Sequence, residues 1–276
     1  MTCNTLQRSK TLVLTILTLL LPSNSFGSDS TQISSWQQLP KVQVAFGYNR
    51  AVFNRSDITL LNIPGYKLTL MKARATDVQI RGLQDLKPFS YGPYSLRVGL
   101  RYTGRSVVSV AFDHMRYKVV EDQTVDAVGS ISAESYPQYG NLLSDGQIEL
   151  TPEVFRFEHT DGLNYVSVEH DYLITRIDSA SRLHFWTGLA LGAYIPRTES
   201  YVLDDGGNHK YHLSGWGTSV HTQVQWRVAG SLFIEGRIKA GYIDLNDILL
   251  GSRSSDARAS QRLGFVLFTC SGLYLF

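Results

Sequence analysis

Apolar and polar residues alternate along much of this chain, in segments of about ten residues. The pattern is clearest over residues 94–103, where successive side chains point to opposite faces of a predicted strand. One face carries Tyr94, Leu96, Val98, Leu100 and Tyr102, and the other carries Ser95, Arg97, Gly99, Arg101 and Thr103. An apolar face with an aromatic residue at each end is typical of a strand that crosses a membrane, and two arginines on the opposite face require a polar interior.

The same alternation predicts an all-β protein that forms an antiparallel transmembrane β-barrel of eight strands with long extracellular loops. The predicted strands cover residues 41–50, 94–103, 106–117, 163–175, 183–194, 212–227, 231–243 and 260–276. Short turns near residues 104, 179 and 230 alternate with long connections over 51–93, 118–162, 195–211 and 244–259. Because periplasmic turns are short and extracellular loops are long in such barrels, both ends of the barrel domain are expected on the periplasmic side.

Two further segments, residues 66–70 and 154–157, also alternate and leave ten or twelve strands as an alternative. Counting each of them as a single crossing would place the 103–105 turn on the extracellular side, which breaks the alternation of short and long connections. We therefore predict that both segments extend beyond the membrane.

The inner faces of the predicted strands carry charges of both signs. An eight-stranded barrel is just wide enough for side chains to fill it, so these residues are expected to form an ion-pair network that closes the bore. A tight turn at 227–231 predicts that Gln223 lies opposite Glu235 and His221 opposite Arg237. The predicted network consists of Arg97, Arg101, Asp113, Glu169, His221, Glu235, Arg237 and Lys239.

The last strand has a single charge, Arg262, and places Val266, Phe268, Tyr274 and Phe276 on one face. An apolar strand with an open edge favours aggregation in water, so both edges are expected to be paired. The ending resembles the C-terminal signal of Gram-negative outer-membrane barrels. That resemblance implies that Tyr274 and Phe276 serve as a membrane-insertion signal read by the barrel-assembly machinery.

The first residues have the pattern of a secretory signal peptide. Arg8 and Lys10 precede a short apolar segment over 11–21, and small residues allow cleavage after Gly27. We therefore expect a signal peptide over 1–27, a periplasmic lead over 28–40 and the outer-membrane barrel over 41–276. Cleavage would remove Arg8, Lys10 and Cys3, which changes 26 basic and 24 acidic residues to 24 of each and leaves Cys270 as the single cysteine. A balanced charge gives no indication of nucleic-acid binding.

Three segments resemble an uncharacterised family of small Gram-negative outer-membrane barrels. They are Phe112-Asp113-His114-Met115-Arg116-Tyr117, the stretch from Phe157 to Tyr165 (FEHTDGLNY), and Gly47-Tyr48-Asn49-Arg50 with Ser56-Asp57-Ile58. The architecture is also similar to the OmpA-, OmpX- and OmpW-like barrels, which serve as anchors, adhesins or narrow channels. The resemblance implies an outer-membrane location, contact with outer-membrane lipid and an unknown extracellular ligand, and it assigns no catalytic residue.

Catalysis has weak candidates in the sequence. Ser219, His221 and Glu235 are the residue types of a hydrolase, but all three are predicted to face the interior, away from lipid. Glu158, His159 and Asp161 are ligand types without the spacing of a specific metal site. Asp204-Asp205-Gly206-Gly207-Asn208 lacks the spaced ligands of a calcium loop. No metal or cofactor is therefore expected.

The leading hypothesis is a non-enzymatic outer-membrane barrel with a structural, surface-interaction or narrow-channel role. The alternatives are an outer-membrane hydrolase that modifies lipid and a soluble periplasmic β-sandwich.

Overall fold

The computed structural model describes residues 42–77, 92–143, 145–175, 182–207, 210–251 and 254–276. The predicted signal peptide (1–27), the lead (28–40) and the polar turn over 176–181 lie outside the described residues.

Strands make up most of the described chain, together with a short 3-10 helix, Pro137–Tyr139. The strands are β1 (Val42–Phe53), β2 (Ser56–Leu61), β3 (Tyr66–Ala73), β4 (Ala75–Thr76), β5 (Tyr94–Arg101), β6 (Ser106–Val119), β7 (Thr124–Ile131), β8 (Gln147–Glu149), β9 (Phe155–Leu173), β10 (Leu183–Tyr194), β11 (Glu199–Val202), β12 (Asp205–Gly207), β13 (Gly215–Ala229), β14 (Leu232–Leu249) and β15 (Arg258–Leu275).

No helix in the described part of the chain is long and apolar enough to cross a membrane.

Eight of the strands form a closed antiparallel barrel, in the order β1-β5-β6-β9-β10-β13-β14-β15, with β15 pairing back onto β1. The prediction of an eight-stranded barrel is therefore confirmed, and the alternative of a two-layer sandwich is wrong. Closure gives β15 a partner on each side: Tyr274 pairs with Val44 on β1 and with Leu232 on β14. The C-terminal strand consequently has no open edge over the barrel.

The register of the strand pairs determines how far the strands tilt from the barrel axis. A row of paired residues that starts at Val42 returns to β1 at Val52, ten residues further on (52 − 42 = 10). Eight strands with this stagger tilt by about 40° from the barrel axis, within the usual range. The row passes through Leu100, Val108, His170, Leu189, Val220, Ala240 and Val266.

Two of the three predicted short turns, near residues 104 and 230, lie within the described residues, and the third, near residue 179, lies outside them. The turns after Arg101 and Ala229 are short and lie at the same end as Val42 and Leu275. The hairpin at Gly230 turns with a left-handed backbone (φ 50°), which glycine adopts without a Cβ clash. The four connections that were predicted to be long, from β1 to β5, β6 to β9, β10 to β13 and β14 to β15, leave from the opposite end.

The strands extend further beyond that opposite end than the sequence pattern indicated. The predicted loop over 118–162 contains the top of β6, β7, β8 and the first part of β9, and the predicted loop over 244–259 shortens to the residues between β14 and β15. The segment 66–70 lies in β3. The strands β2, β3, β7 and β8 continue the sheet from the first residues of β15, at the end of the barrel opposite the short turns, and we call these four strands the extension. The segment 154–157 is the start of β9 itself rather than a separate strand.

The extension and the adjacent end of the barrel share one apolar core. Its buried side chains include Phe53, Leu68, Tyr117, Phe155 and Phe157. These side chains fill the barrel opening opposite the short turns and the space beneath the extension sheet. Within the described residues, the end of the barrel opposite the short turns is thus a folded, packed structure.

Candidate functional site

The charged interior of the barrel is the main polar site of the described chain. Each of its residues lies on the inner face of a barrel strand because the polar positions repeat with period two. Asp113 comes from β6, Glu169 and Asp171 from β9, His221 from β13, and Arg237 and Lys239 from β14; all of them are buried. Ions that are removed from water in this way require close partners of opposite charge.

Glu169 lies at the centre of the network. One carboxylate oxygen accepts from Arg237 (Nη2 to Oε2, 2.5 Å), and the other accepts from Lys239 (Nζ to Oε1, 2.7 Å). Lys239 also donates to Asp113, which accepts a further hydrogen bond from Ser95 Oγ at 2.7 Å. The network therefore spans the bore from β5 to β14.

A second part of the network surrounds Arg97. Its guanidinium donates to Glu235 (2.5 Å) and to Gln223 (2.7 Å), and Gln225 donates to the same Glu235 oxygen at 2.8 Å. Asp171 connects the two parts, because its Oδ1 lies 3.8 Å from Arg237 and 4.0 Å from Arg97.

The structure brings together seven of the eight residues predicted for the network. The exception is Arg101, which lies near the short-turn end with its guanidinium 5.4 Å from the ring centroid of Trp186. Arg101 lies three residues before the predicted turn at Gly104, and this position was the available signal that it lies nearer the short-turn end than the other charges. Asp171 belongs to the network although it was not among the predicted residues; its partner, His221, lies two strands away in the ring.

The predicted register of the β13–β14 hairpin is wrong by two residues. Gln223 pairs with Arg237, Gln225 with Glu235, and His221 with Lys239. The chain turns at Gly230 and Ser231, one position later than predicted, and the register is irregular between Arg227 and Ala229. Glu235 is therefore displaced from His221 along the strand.

The candidate hydrolase residues Ser219, His221 and Glu235 do not form a triad. His221 Nε2 lies 2.6 Å from Asp171 Oδ1, whereas the Glu235 carboxylate binds Arg97 and Gln225. Within the described residues no hydrogen bond joins Ser219 to His221. Nucleophile, base and acid are thus not in mutual reach, which a serine hydrolase requires.

Glu169, Asp171 and His221 also present ligand atoms within 4.8 Å of one another, which is close enough for one metal ion. Their surroundings do not fit a metal. Arg237 and Lys239 hold the two Glu169 oxygens, and His221 occupies one Asp171 oxygen. A divalent cation there would face two fixed positive charges at short range.

Apolar side chains close the bore on both sides of the network. At the short-turn end, Val107, Leu173 and Trp186 pack together, as do Phe233 and Leu273 with their neighbours. At the other end, the rings of Tyr165 and Tyr194 stack with centroids 4.6 Å apart, and Tyr165 donates to the Gly217 carbonyl at 3.1 Å. A cavity beside Arg97 and Glu235 has a volume of about 10 Å³, which is room for one water molecule at most.

This filling leads to a prediction about conduction. The protein, reconstituted into a planar bilayer, should give no stepwise ion current, because apolar layers lie above and below the charged residues. The control is a wide porin in the same bilayer. Stepwise currents from the purified protein would show that ions pass through the bore.

The candidate metal ligands on β9, Glu158, His159 and Asp161, each contact a different partner. His159 is fully buried beside Phe157 and Tyr117, with Nδ1 3.0 Å from Thr198 Oγ1. Glu158 lies 3.8 Å from Lys118 and Asp161 lies 2.6 Å from Arg197. Burial raises the pKa of Glu158 and lowers the pKa of His159 to about 3. These three residues therefore do not converge on one metal.

The segment 204–208, considered as a calcium loop, forms part of a hairpin. β11 and β12 pair through Val202 and Asp205, and the Asp204 carboxylate accepts from the Tyr201 hydroxyl at 3.1 Å. Asn208 lies outside the described residues.

The outer face of the barrel is apolar between two rows of aromatic residues. At the short-turn end the row contains Tyr102, Tyr172, Trp226, Tyr274 and Phe276, and at the other end it contains Tyr94, His114, Trp216 and Tyr242. Exposed aliphatic residues such as Val98, Val168 and Val220 lie between them. Trp216 and Trp226 are ten residues apart on β13 (226 − 216 = 10); with a rise of about 3.3 Å per residue and the tilt given above, the rows are about 25 Å apart along the axis.

The predicted insertion residues and the cysteine also face outward. The rings of Tyr274 and Phe276 lie 4.7 Å apart, and both are exposed. Cys270 is free and exposed on the same face of β15.

The sequence matches no protein-family model and no curated protein sequence. Among solved structures, the chain is similar to the outer membrane protein OprG from Pseudomonas aeruginosa, with 11% identity over 86% of this chain and 97% of that chain and a TM-score of 0.42. It is also similar to Neisserial surface protein A, NspA (13% identity, 82% and 95% covered, TM-score 0.33), and to the outer membrane protease OmpT from Escherichia coli (9%, 90% and 100%, TM-score 0.36). The fold is shown by the strand pairing of the chain itself.

Proposed function

We propose that this protein is an integral outer-membrane barrel with a closed bore, which holds a folded β-structure on the outer surface of the membrane. Its role is structural or one of surface interaction, and it is not enzymatic. The observation that carries this proposal is the outer belt of exposed apolar residues, about 25 Å high, between two aromatic rows. In water such a belt would drive aggregation, whereas in a bilayer it matches the height of the hydrocarbon core.

The closed bore favours a surface role over a channel role. The interior contains a buried ion-pair network and two apolar layers, which leave little space for a solute. The long connections instead build the packed extension around β2, β3, β7 and β8. This extension is the part of the chain that a partner outside the cell can reach.

The proposal predicts how the protein fractionates and runs on gels. It should appear in the outer-membrane fraction, and its mobility on an SDS gel should shift on boiling, because a closed barrel resists SDS until it is heated. Recovery from the soluble periplasm without a mobility shift would overturn the proposal.

Labelling of intact cells tests the orientation. Lys67 and Lys72 lie in the extension and are exposed, whereas Lys239 is buried in the bore. A membrane-impermeant amine reagent should therefore label Lys67 and Lys72 on intact cells, and it should leave Lys239 unlabelled. Labelling of Lys67 and Lys72 that requires cell lysis would place the extension on the periplasmic side.

A further inference from the structure

The outer face of the barrel has a depression across four neighbouring strands. One row of paired residues forms its floor: Tyr48 on β1, Cys270 on β15, Gly236 on β14 and Val224 on β13. Its volume is about 580 Å³, within the range of sites that hold small molecules. Gly236 leaves the floor open because it has no side chain: a Cβ atom built at this position meets no heavy atom within 4 Å.

The wall of the depression on the side of the extension is mainly apolar. Phe268 and Ile238 lie on the next row of paired residues in that direction, together with Thr222. Because rows of paired residues climb from β13 to β1 in this barrel, the floor rises diagonally from Val224, near the short-turn edge of the apolar belt, towards Tyr48, nearer its other edge. A flexible hydrocarbon chain suits this narrow, inclined and apolar shape.

A positive charge lies at the upper end. Arg50 follows Tyr48 on the outer face of β1, pairs in register with Phe268 and borders the depression. Its side chain is 41% exposed, and Nη1 lies 3.5 Å from Asp77 Oδ2. Asp77 also accepts a hydrogen bond from the Ala51 backbone at 3.1 Å, which holds the carboxylate on the side of Arg50 that faces the extension. A guanidinium has five N–H donors in a planar fork that matches phosphate oxygens.

We propose that this depression is a binding site for one outer-leaflet lipid with a phosphate-bearing, anionic headgroup. Arg50 binds the phosphate near the edge of the belt, and one acyl chain lies over Cys270 and Gly236, beside Phe268 and Ile238. This site rests on the proposed function, because the depression meets lipid only when the belt is in a membrane.

The test counts the lipids that stay on the folded protein. The protein would be taken from nanodiscs of phosphatidylcholine with phosphatidylglycerol and examined by native mass spectrometry under activation that removes loosely held lipid. We expect one retained phosphatidylglycerol per wild-type chain. Gly236→Leu fills the floor and Arg50→Gln removes the charge, so each should lower retention at least about fivefold.

Two control variants lie outside the depression. Ala240→Leu introduces the same leucine side chain at an exposed position on β14, and Arg55→Gln removes an exposed arginine beyond β1. Both should retain lipid as the wild type does. Each variant is first checked for the heat-dependent mobility shift, so that loss of the barrel, which concerns the proposed function, is distinguished from loss of the lipid.

Three outcomes would overturn the lipid site. Equal retention by all variants would show ordinary surrounding lipid. Equal retention of phosphatidylcholine and phosphatidylglycerol by the wild type would exclude a role for the anionic headgroup. A wild-type dimer without retained lipid that becomes monomeric in Gly236→Leu would show that the depression joins two copies of the chain.

Discussion

Glu169→Gln should lower the free energy of unfolding by about 3–5 kcal/mol, the usual cost of removing one partner from a buried ion pair. Glu169 is the carboxylate that both Arg237 and Lys239 bind, at 2.5 Å and 2.7 Å. A glutamine of the same shape leaves both cations buried beside a neutral amide. Lys239 keeps Asp113, whereas Arg237 keeps only the more distant Asp171, at 3.8 Å.

The measurement is a urea titration of the folded protein in detergent micelles, followed by tryptophan fluorescence. Trp186, Trp216 and Trp226 lie on barrel strands and report on barrel unfolding. The matched control is Glu158→Gln, the same substitution on the same strand. Glu158 lies 3.8 Å from a partly exposed Lys118, so its loss should cost less than about 1 kcal/mol.

A double variant separates the lost charge from lost packing. Glu169→Gln combined with Arg237→Gln removes both partners, so its cost should be smaller than the sum of the two single costs by more than about 1 kcal/mol. Similar small effects of Glu169→Gln and Glu158→Gln would contradict the view that the network stabilises the barrel.

The period-two pattern was sufficient to predict the barrel and most of its interior, because the two faces of each barrel strand lie in different environments. On β14, Glu235, Arg237 and Lys239 alternate with exposed Ile234 and Ile238. Lipid on one side and a polar bore on the other leave few acceptable sequences. This constraint predicts which residues face inward but not which of them touch.

The pairs inside the bore depend on register and tilt, which the pattern does not contain. The Gly230 turn was placed one residue early, and this shifted every predicted pair of the hairpin by two. Asp171 and His221 meet although β10 lies between their strands, because their side chains reach across the interior. Contacts of this kind follow only from the closed ring.

The extension was the hardest part to predict. Beyond the membrane a strand no longer needs an apolar outer face, so its sequence is similar to that of a polar loop. The alternating residues of β3 and of the start of β9 were recognised, but their partners, β7 and β11, lie far from them in the sequence. The core that these strands enclose contains His159, whose burial could not be read from neighbouring residues.

His159 should make the extension less stable as the pH falls. Burial among Tyr117 and Phe157 lowers the pKa of His159 to about 3, against about 6.5 in an unfolded chain. Between these values the unfolded state binds a proton that the folded state does not bind, so stability is full above pH 6.5 and is lost as the pH falls towards 3. The loss should be about 2 kcal/mol between pH 8 and pH 5, and about 4–5 kcal/mol by pH 3.

Hydrogen exchange of peptides that contain residues 155–159, corrected for the intrinsic effect of pH, measures this opening. His159→Gln should remove most of the difference between pH 8 and pH 5, because glutamine does not titrate. His212→Gln is the matched control: His212 is partly exposed, 2.9 Å from Asp247, and its loss should leave the pH dependence of these peptides unchanged. A pH dependence that persists in His159→Gln would mean that other groups, such as Glu158 or Asp77, control the opening of the extension.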